Sequence, residues 1–143
     1  MDQYKKEAVT AFEEFAKNSG LVVRSRTDTF IDVVGSEIGL RVRWRVERTE
    51  GIFVTLFQVS EPRSEFSLVY LVEFENGSSE DIELAKSNDP RVLVEFARRY
   101  CTKFLSGNLE KFRPFKDFAK RRIAEQVPST PEMKATKWIR PEW

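Results

Sequence analysis

The chain contains no histidine and a single cysteine, Cys101. The missing histidine removes Ser-His-Asp and Cys-His nucleophilic catalysis, histidine general bases and the common zinc sites. A lone cysteine excludes an intramolecular disulfide, which fits a reducing cytosol. No apolar run approaches the roughly 18 residues of a membrane-spanning helix. An excess of one charge is missing too. Lys and Arg number 24 against 23 Asp and Glu, a formal net charge of +1. Global charge therefore points to neither nucleic acid nor membrane. The first residues, Met1-Asp2-Gln3-Tyr4-Lys5-Lys6-Glu7, lack the apolar centre of a secretory leader, and a cytoplasmic location is the expectation.

What the sequence does have is the material for an aromatic-heavy core. It holds 12 Phe and 3 Trp in 143 residues, and a chain of this size can bury a core without disulfides or metals. The organising stretch is residues 40–59. Leu40-Arg41-Val42-Arg43-Trp44-Arg45-Val46 alternates apolar and charged residues, the period of a strand with one buried face. Residues 52–59 are apolar on nearly both faces, and the pair reads as a β-hairpin turning at Thr49-Glu50-Gly51. With an even loop, Arg41, Arg43 and Arg45 share a face with Val54, Leu56 and Gln58. An odd loop swaps the second arm, because side chains alternate with period two.

Around this hairpin the chain reads in order. Residues 2–18 place Tyr4, Ala8, Phe12, Phe15 and Ala16 at spacings of three and four, an amphipathic helix with Gly20 past its end. Residues 21–24 and 29–34 read as strands. Residues 66–74 predict a further strand, apolar on both faces and closed by an Asn76-Gly77 turn. Residues 79–86 suggest one acidic helical turn. Asn88-Asp89-Pro90 offers a cap followed by proline at the first helical position, opening a helix to about Leu105. Pro114 starts a last helix to about Gln126. Beyond it, Pro128, Pro131 and Pro141 predict an irregular tail.

Several clusters are candidate sites. Arg41, Arg43 and Arg45 suit a phosphate backbone or an acidic protein surface, since each guanidinium bonds two oxygens at once. The plainer reading is a solvated strand face, or pairing with acids such as Glu73. Arg98, Arg99 and Lys103 lie on one helix, and more basic residues follow between 111 and 122. They form either a nucleic-acid surface or a complement to the acidic stretch 73–89. Trp138 and Trp143 suit a docking segment, because tryptophan is favoured at interface hot spots, or they pack back on the domain. Asp28 with Asp32, and Glu73 with Glu75, are spaced for paired carboxylates on a strand, although dispersed surface acids are far commoner. Cys101 sits in an apolar helix stripe and reads as a small hydrophobe. No motif calls for a metal or a cofactor.

The expected architecture is α+β. It comprises an N-terminal helix, a four- to five-stranded antiparallel meander sheet, two C-terminal helices and an irregular tryptophan-containing tail. Residues 1–127 form one domain, with helices over the Trp44 face of the sheet, and 128–143 the tail. This layout is similar to that of small bacterial immunity proteins in size, in helix–sheet–helix order and in the missing catalytic set. The resemblance implies a non-catalytic module that binds a partner protein; the charged sheet and helix surfaces and the tail make Arg41, Arg43, Arg45, Arg98, Arg99, Lys103, Trp138 and Trp143 the candidate contact residues. Two alternatives stand beside it. One is a nucleic-acid-binding protein using the arginine face and the basic helices. The other is a small-molecule or carboxylate-dependent site in a sheet–helix cavity.

Overall fold

The computed structural model describes residues 3–46, 48–107 and 109–126, with residues 45, 46, 49, 50 and 126 described in their backbone alone. The expected tail, 128–143, lies outside them. The architecture is the α+β arrangement expected from the sequence. Helix α1 (Gln3–Ser19) buries Ala8, Phe12, Phe15 and Ala16. It ends where Gly20 adopts φ 70° and the Leu21 amide reaches back to the Ala16 carbonyl at 2.8 Å, the left-handed cap that glycine makes cheaply. Five strands follow: β1 (Val22–Arg26), β2 (Phe30–Val34), β3 (Ile38–Val46), β4 (Thr49–Gln58) and β5 (Glu61–Ser67). They pair antiparallel in chain order, so β1 and β5 are the two edges.

The central hairpin departs from the expected turn in an informative way. The strands end at Val46 and resume at Thr49, so residues 49–51 belong to β4. Near the turn, Val46 faces Thr49 and Arg45 faces Glu50; farther along, Arg43 faces Phe53 and Arg41 faces Thr55. Two residues, Gly51 and Ile52, therefore oppose Trp44 alone. This bulge shifts the second arm by one residue and swaps its faces although the loop is short. The Ile52 amide, turned out of the ladder, donates to Asn88 Oδ1 at 2.8 Å. A side chain at Gly51 would collide there, since an added Cβ would lie 2.9 Å from that oxygen.

Residues 66–74 are not one strand. Pairing with β4 stops at Ser67, and Leu68–Phe74 is a helix, α2. A continuous apolar run does not distinguish a buried strand from a buried helix, but its flanks do. The Ser67 hydroxyl accepts from the Val69 amide as an N-cap. At the other end Asn76 takes φ 60°. The Gly77 amide bonds the Val72 carbonyl at 2.8 Å and the Asn76 amide the Glu73 carbonyl at 3.0 Å. These two bonds form the Schellman helix ending. Asn76-Gly77 is thus a helix stop and not a hairpin turn.

Helix α3 (Ser79–Leu84) follows. Then α4 (Pro90–Phe96), a π-helical turn (Ala97–Cys101) and α5 (Thr102–Leu105) succeed one another without a break, with Asp89 capping the start. Helix α6 (Leu109–Gln126) begins ahead of Pro114 and includes it. Proline there cannot bond the Glu110 carbonyl, but Glu110 is exposed and water can take the freed group. No helix among the described residues is long and apolar enough to cross a membrane.

One face of the sheet carries Ile31, Val33, Leu40, Val42, Trp44, Val54, Leu56 and Phe66, and all fall in a single core with the buried residues of the helices. The helices therefore cover the Trp44 face, as expected. Phe66, Phe104, Phe112 and Phe115 meet there mostly edge to face, with centroids 5.6 to 6.4 Å apart. Each such pair contributes about 0.5–1.5 kcal/mol beyond simple burial. Gly35 locks the sheet to α5, because a Cβ there would lie 2.0 Å from the Leu105 carbonyl oxygen.

The caps of α2 give a test. Ser67→Ala should cost about 1 kcal/mol of unfolding free energy. Asn76→Gly should leave stability unchanged or higher, since glycine takes positive φ freely. Urea denaturation measures both, and an unaffected Ser67→Ala variant would contradict the N-cap.

Candidate functional site

The second face of the sheet is built from Phe30, Asp32 and Val34 of β2, Gly39, Arg41 and Arg43 of β3, Phe53, Thr55 and Phe57 of β4, and Glu65 of β5. Cross-strand partners in an antiparallel ladder share a face. Val34 and Phe57 are the buried apolar residues that stand outside the common core. Phe57 lies across Gly39, where a Cβ would come within 2.6 Å of its ring.

Arg41 is the centre of this face. Its Nε donates to Asp32 Oδ1 at 2.7 Å and its Nη2 to Asp32 Oδ2 at 2.9 Å. Its Nη1 donates to Glu65 Oε2 at 2.8 Å and to the Pro62 carbonyl at 3.0 Å. The guanidinium also lies 4.6 Å from the Phe30 ring centroid and 4.7 Å from that of Phe57, a cation held between two aromatic faces. Arg43 joins through Nε and Nη2, which donate to Glu65 Oε1 at 3.2 Å and Oε2 at 2.5 Å. The Thr55 hydroxyl donates to Glu65 Oε1 at 2.8 Å. The Arg41 and Glu65 side chains keep 9% and 4% of their exposure.

The chain explains how Pro62 arrives there. Phe57 faces Glu65 and Gln58 faces Glu61, so Pro62, Arg63 and Ser64 have no partner on β4. This excursion brings the Pro62 carbonyl within reach of a side chain two strands away. Burial works against the Arg41 charge, but the hydrogen bonds to Asp32 and Glu65 outweigh it, and its pKa is raised. Two cations meet two carboxylates, and each carboxylate is committed to a guanidinium. Chemically the cluster holds charge in place and shields it.

The other sequence candidates separate. The backbone of Arg45 pairs with Glu50, and its side chain is outside the description. Trp138 and Trp143 lie outside the described residues. Arg98 pairs with Glu95 at 2.5 Å, Arg99 with Asp81 at 3.3 Å, and Lys103 with Glu75. Farther along, Arg122 bonds Glu73 at 3.1 Å and Lys116 bonds Glu61 at 2.7 Å. The basic helices and the acidic 73–89 stretch thus face each other. Glu73 belongs to α2 and Glu75 caps it, so the expected strand pair of carboxylates does not form. Asp32 is turned to Arg41, while the Asp28 carbonyl accepts from Trp44 Nε1 at 2.6 Å. Cys101 is fully buried, and burial pushes its thiol pKa up, away from the reactive thiolate.

Sequence reasoning missed Glu65 as the arginines' partner, having looked to Glu73. The signal was present, since Glu65 alternates with Phe66 on an edge strand. It also missed the contrast between the edges. Every residue of β1 is exposed except the half-buried Ser25, and Val22 and Val23 keep 61% and 36% exposure. At β5 the exposed positions are Glu61, Pro62, Arg63 and Ser64. A shallow groove between α1 and the start of α4, with Tyr4, Glu7, Thr10 and Arg91 on its walls, is open to solvent.

Comparison with protein-family models, with curated proteins and with solved structures found no match.

Removing Arg41 leaves two buried carboxylates short of a partner. Arg41→Ala should therefore cost about 3–5 kcal/mol, and Arg43→Ala less, because Glu65 keeps Arg41 and Thr55. Equal losses in urea unfolding would refute this hierarchy. A pH test addresses the helix start. Asp89 accepts from the Arg91 amide, which with the Arg91 side chain holds its carboxyl below the ordinary range. A lowered folded pKa stabilises at neutral pH, and that contribution disappears as pH falls through the folded value. Asp89→Asn keeps a capping oxygen without the titration. Unfolding midpoints of the variant should fall less steeply than those of the parent from roughly pH 5 to pH 2; parallel curves would exclude the effect.

Proposed function

We propose that the protein is a non-catalytic module that binds a partner protein, of the kind of an immunity or adaptor protein. The observation that carries this reading is the edge strand β1, whose valines no described residue covers. β1 leaves Val22 and Val23 in solvent at the rim of the sheet. An edge strand offers unpaired backbone donors and acceptors, and proteins ordinarily blunt such edges with proline or charge. β5 is blunted in this way by Pro62, Glu61 and Arg63, and the Pro62 carbonyl is taken by Arg41. β1 carries charge in Arg24 and Arg26, which acts against pairing with its own kind, but among the described residues it keeps both valines exposed, and an apolar rim of this kind suits a protein whose contact surface is a strand.

The charge pattern favours a protein partner over nucleic acid. Phosphate binding rests on cations that exchange their counterions for the backbone. Arg41 and Arg43 are already joined to Asp32 and Glu65, and Arg98, Arg99 and Lys103 to Glu95, Asp81 and Glu75. Displacing these acids would oppose any gain from phosphate.

Site-specific photocrosslinking in the native cell tests the reading. A photoreactive residue at position 22, on the open edge, should give a discrete protein adduct. The same residue at position 113, exposed on α6, should not. Adducts of equal yield at both positions, or none at position 22, would count against partner binding through this edge.

A further inference from the structure

From the same edge, and resting on the partner-binding reading, we infer that the occupant of β1 is an extended acidic segment of a partner, added as a sixth strand. The argument begins with β1 itself, Val22-Val23-Arg24-Ser25-Arg26. Its register against β2 slips between Val23 and Ser25, which makes Arg24 the extra residue of a bulge. Bulges re-aim side chains, and Arg24 is exposed. Val22 shares a face with Val34, and Val23 with Val33, so the two valines flank the edge on opposite sides of the sheet. The strand is five residues long, and its bend limits a straight neighbour to a segment of about that length.

Charge selects the occupant. Arg24 and Arg26 are the charged residues of β1. Arg26 reaches Glu13 of α1 from a half-exposed position, and a surface pair of this kind yields easily. A second copy of β1 laid antiparallel and centred on Arg24 would set Arg24 directly against Arg24 of the other copy. Like charges at opposed positions are destabilising. The basic residues therefore act against self-pairing and against basic strands. A segment that alternates small apolar residues with glutamate or aspartate would cover Val22 on one side of the sheet and, on the other, place carboxylates beside Arg26, with Arg24 exposed at the bulge between them. Backbone bonds supply affinity in this mode, and the side-chain match supplies selectivity.

Nuclear magnetic resonance titration of the full chain tests the inference. The probes are an eight-residue peptide alternating valine with glutamate and its counterpart alternating valine with lysine. The acidic peptide should shift the amides of Val22 to Arg26 and slow their hydrogen exchange. The basic peptide should not. Arg24→Glu should weaken the acidic peptide about fivefold, as expected for turning an attractive cross-strand pair into a repulsive one, and should improve the basic one. Equal binding of both peptides, or shifts centred away from β1, would overturn the acidic-strand assignment. Sedimentation of the peptide-free chain as a dimer dissociated by Arg24→Pro would overturn it in favour of a second copy. If position 22 crosslinks a partner in the cell while the peptides fail to discriminate charge, the partner-binding reading survives and the acidic segment does not.

Discussion

A sheet with helices on one side has a second face to protect, and here a single guanidinium does so. Arg41 bonds Asp32 through two nitrogens, Glu65 and the Pro62 carbonyl through a third, and lies between Phe30 and Phe57. Lysine could not replace it, because the forked, planar geometry is what allows two carboxylates and two rings to be met together. The consequences reach across four strands. β2 supplies the acid, β3 the arginine, β4 the ring, and β5 bulges so that its carbonyl completes the set. A buried ionic cluster is weak evidence for stability in itself. What this one does is make the register of four strands interdependent, since a slip of any strand would strand a buried charge.

The same internal neutralisation extends to the helices. Residues that look like a basic surface in the sequence are joined to the acids of α2, α3 and the turns between them. Part of the near-balanced charge is thus held in local pairs. Such surface pairs are individually worth little, but they tie Arg99, Lys103 and Arg122 to local acids. The β1 edge differs in setting exposed apolar residues beside Arg24 and Arg26. Its two exposed valines contrast with a β5 edge closed by proline, charge and a side-chain hydrogen bond.

Much of the fold was legible in residue patterns. The three- and four-residue spacings of Ala8, Phe12, Phe15 and Ala16 located α1, and the Asp89-Pro90 pair located the start of α4. Alternation in Leu40-Arg41-Val42-Arg43-Trp44 assigned β3 one apolar and one arginine face. These signals are local, and so survive without knowledge of the rest. The run at 68–74 was not legible by periodicity, because it is apolar throughout; the cap residues Ser67 and Asn76 held the discriminating information. Pro114 falls inside α6 and not at its start, because the exposed Glu110 leaves to water the carbonyl that proline cannot bond.

The sequence by itself determined the class of the domain, the helix-covered face and the absence of histidine-based chemistry. Each follows from composition or from a short periodic pattern. Only the tertiary structure decided what the arginines do. A bulge opposite Trp44 moved Phe53, Thr55 and Phe57 onto their face, and an unpaired excursion in β5 brought Pro62 and Glu65 to them. Bulges insert a single residue and leave no strong mark in the sequence, yet each one exchanges the two faces of everything beyond it. Which strand remains open at the rim was likewise undecided until all five were paired, because an edge is defined by the neighbour it lacks.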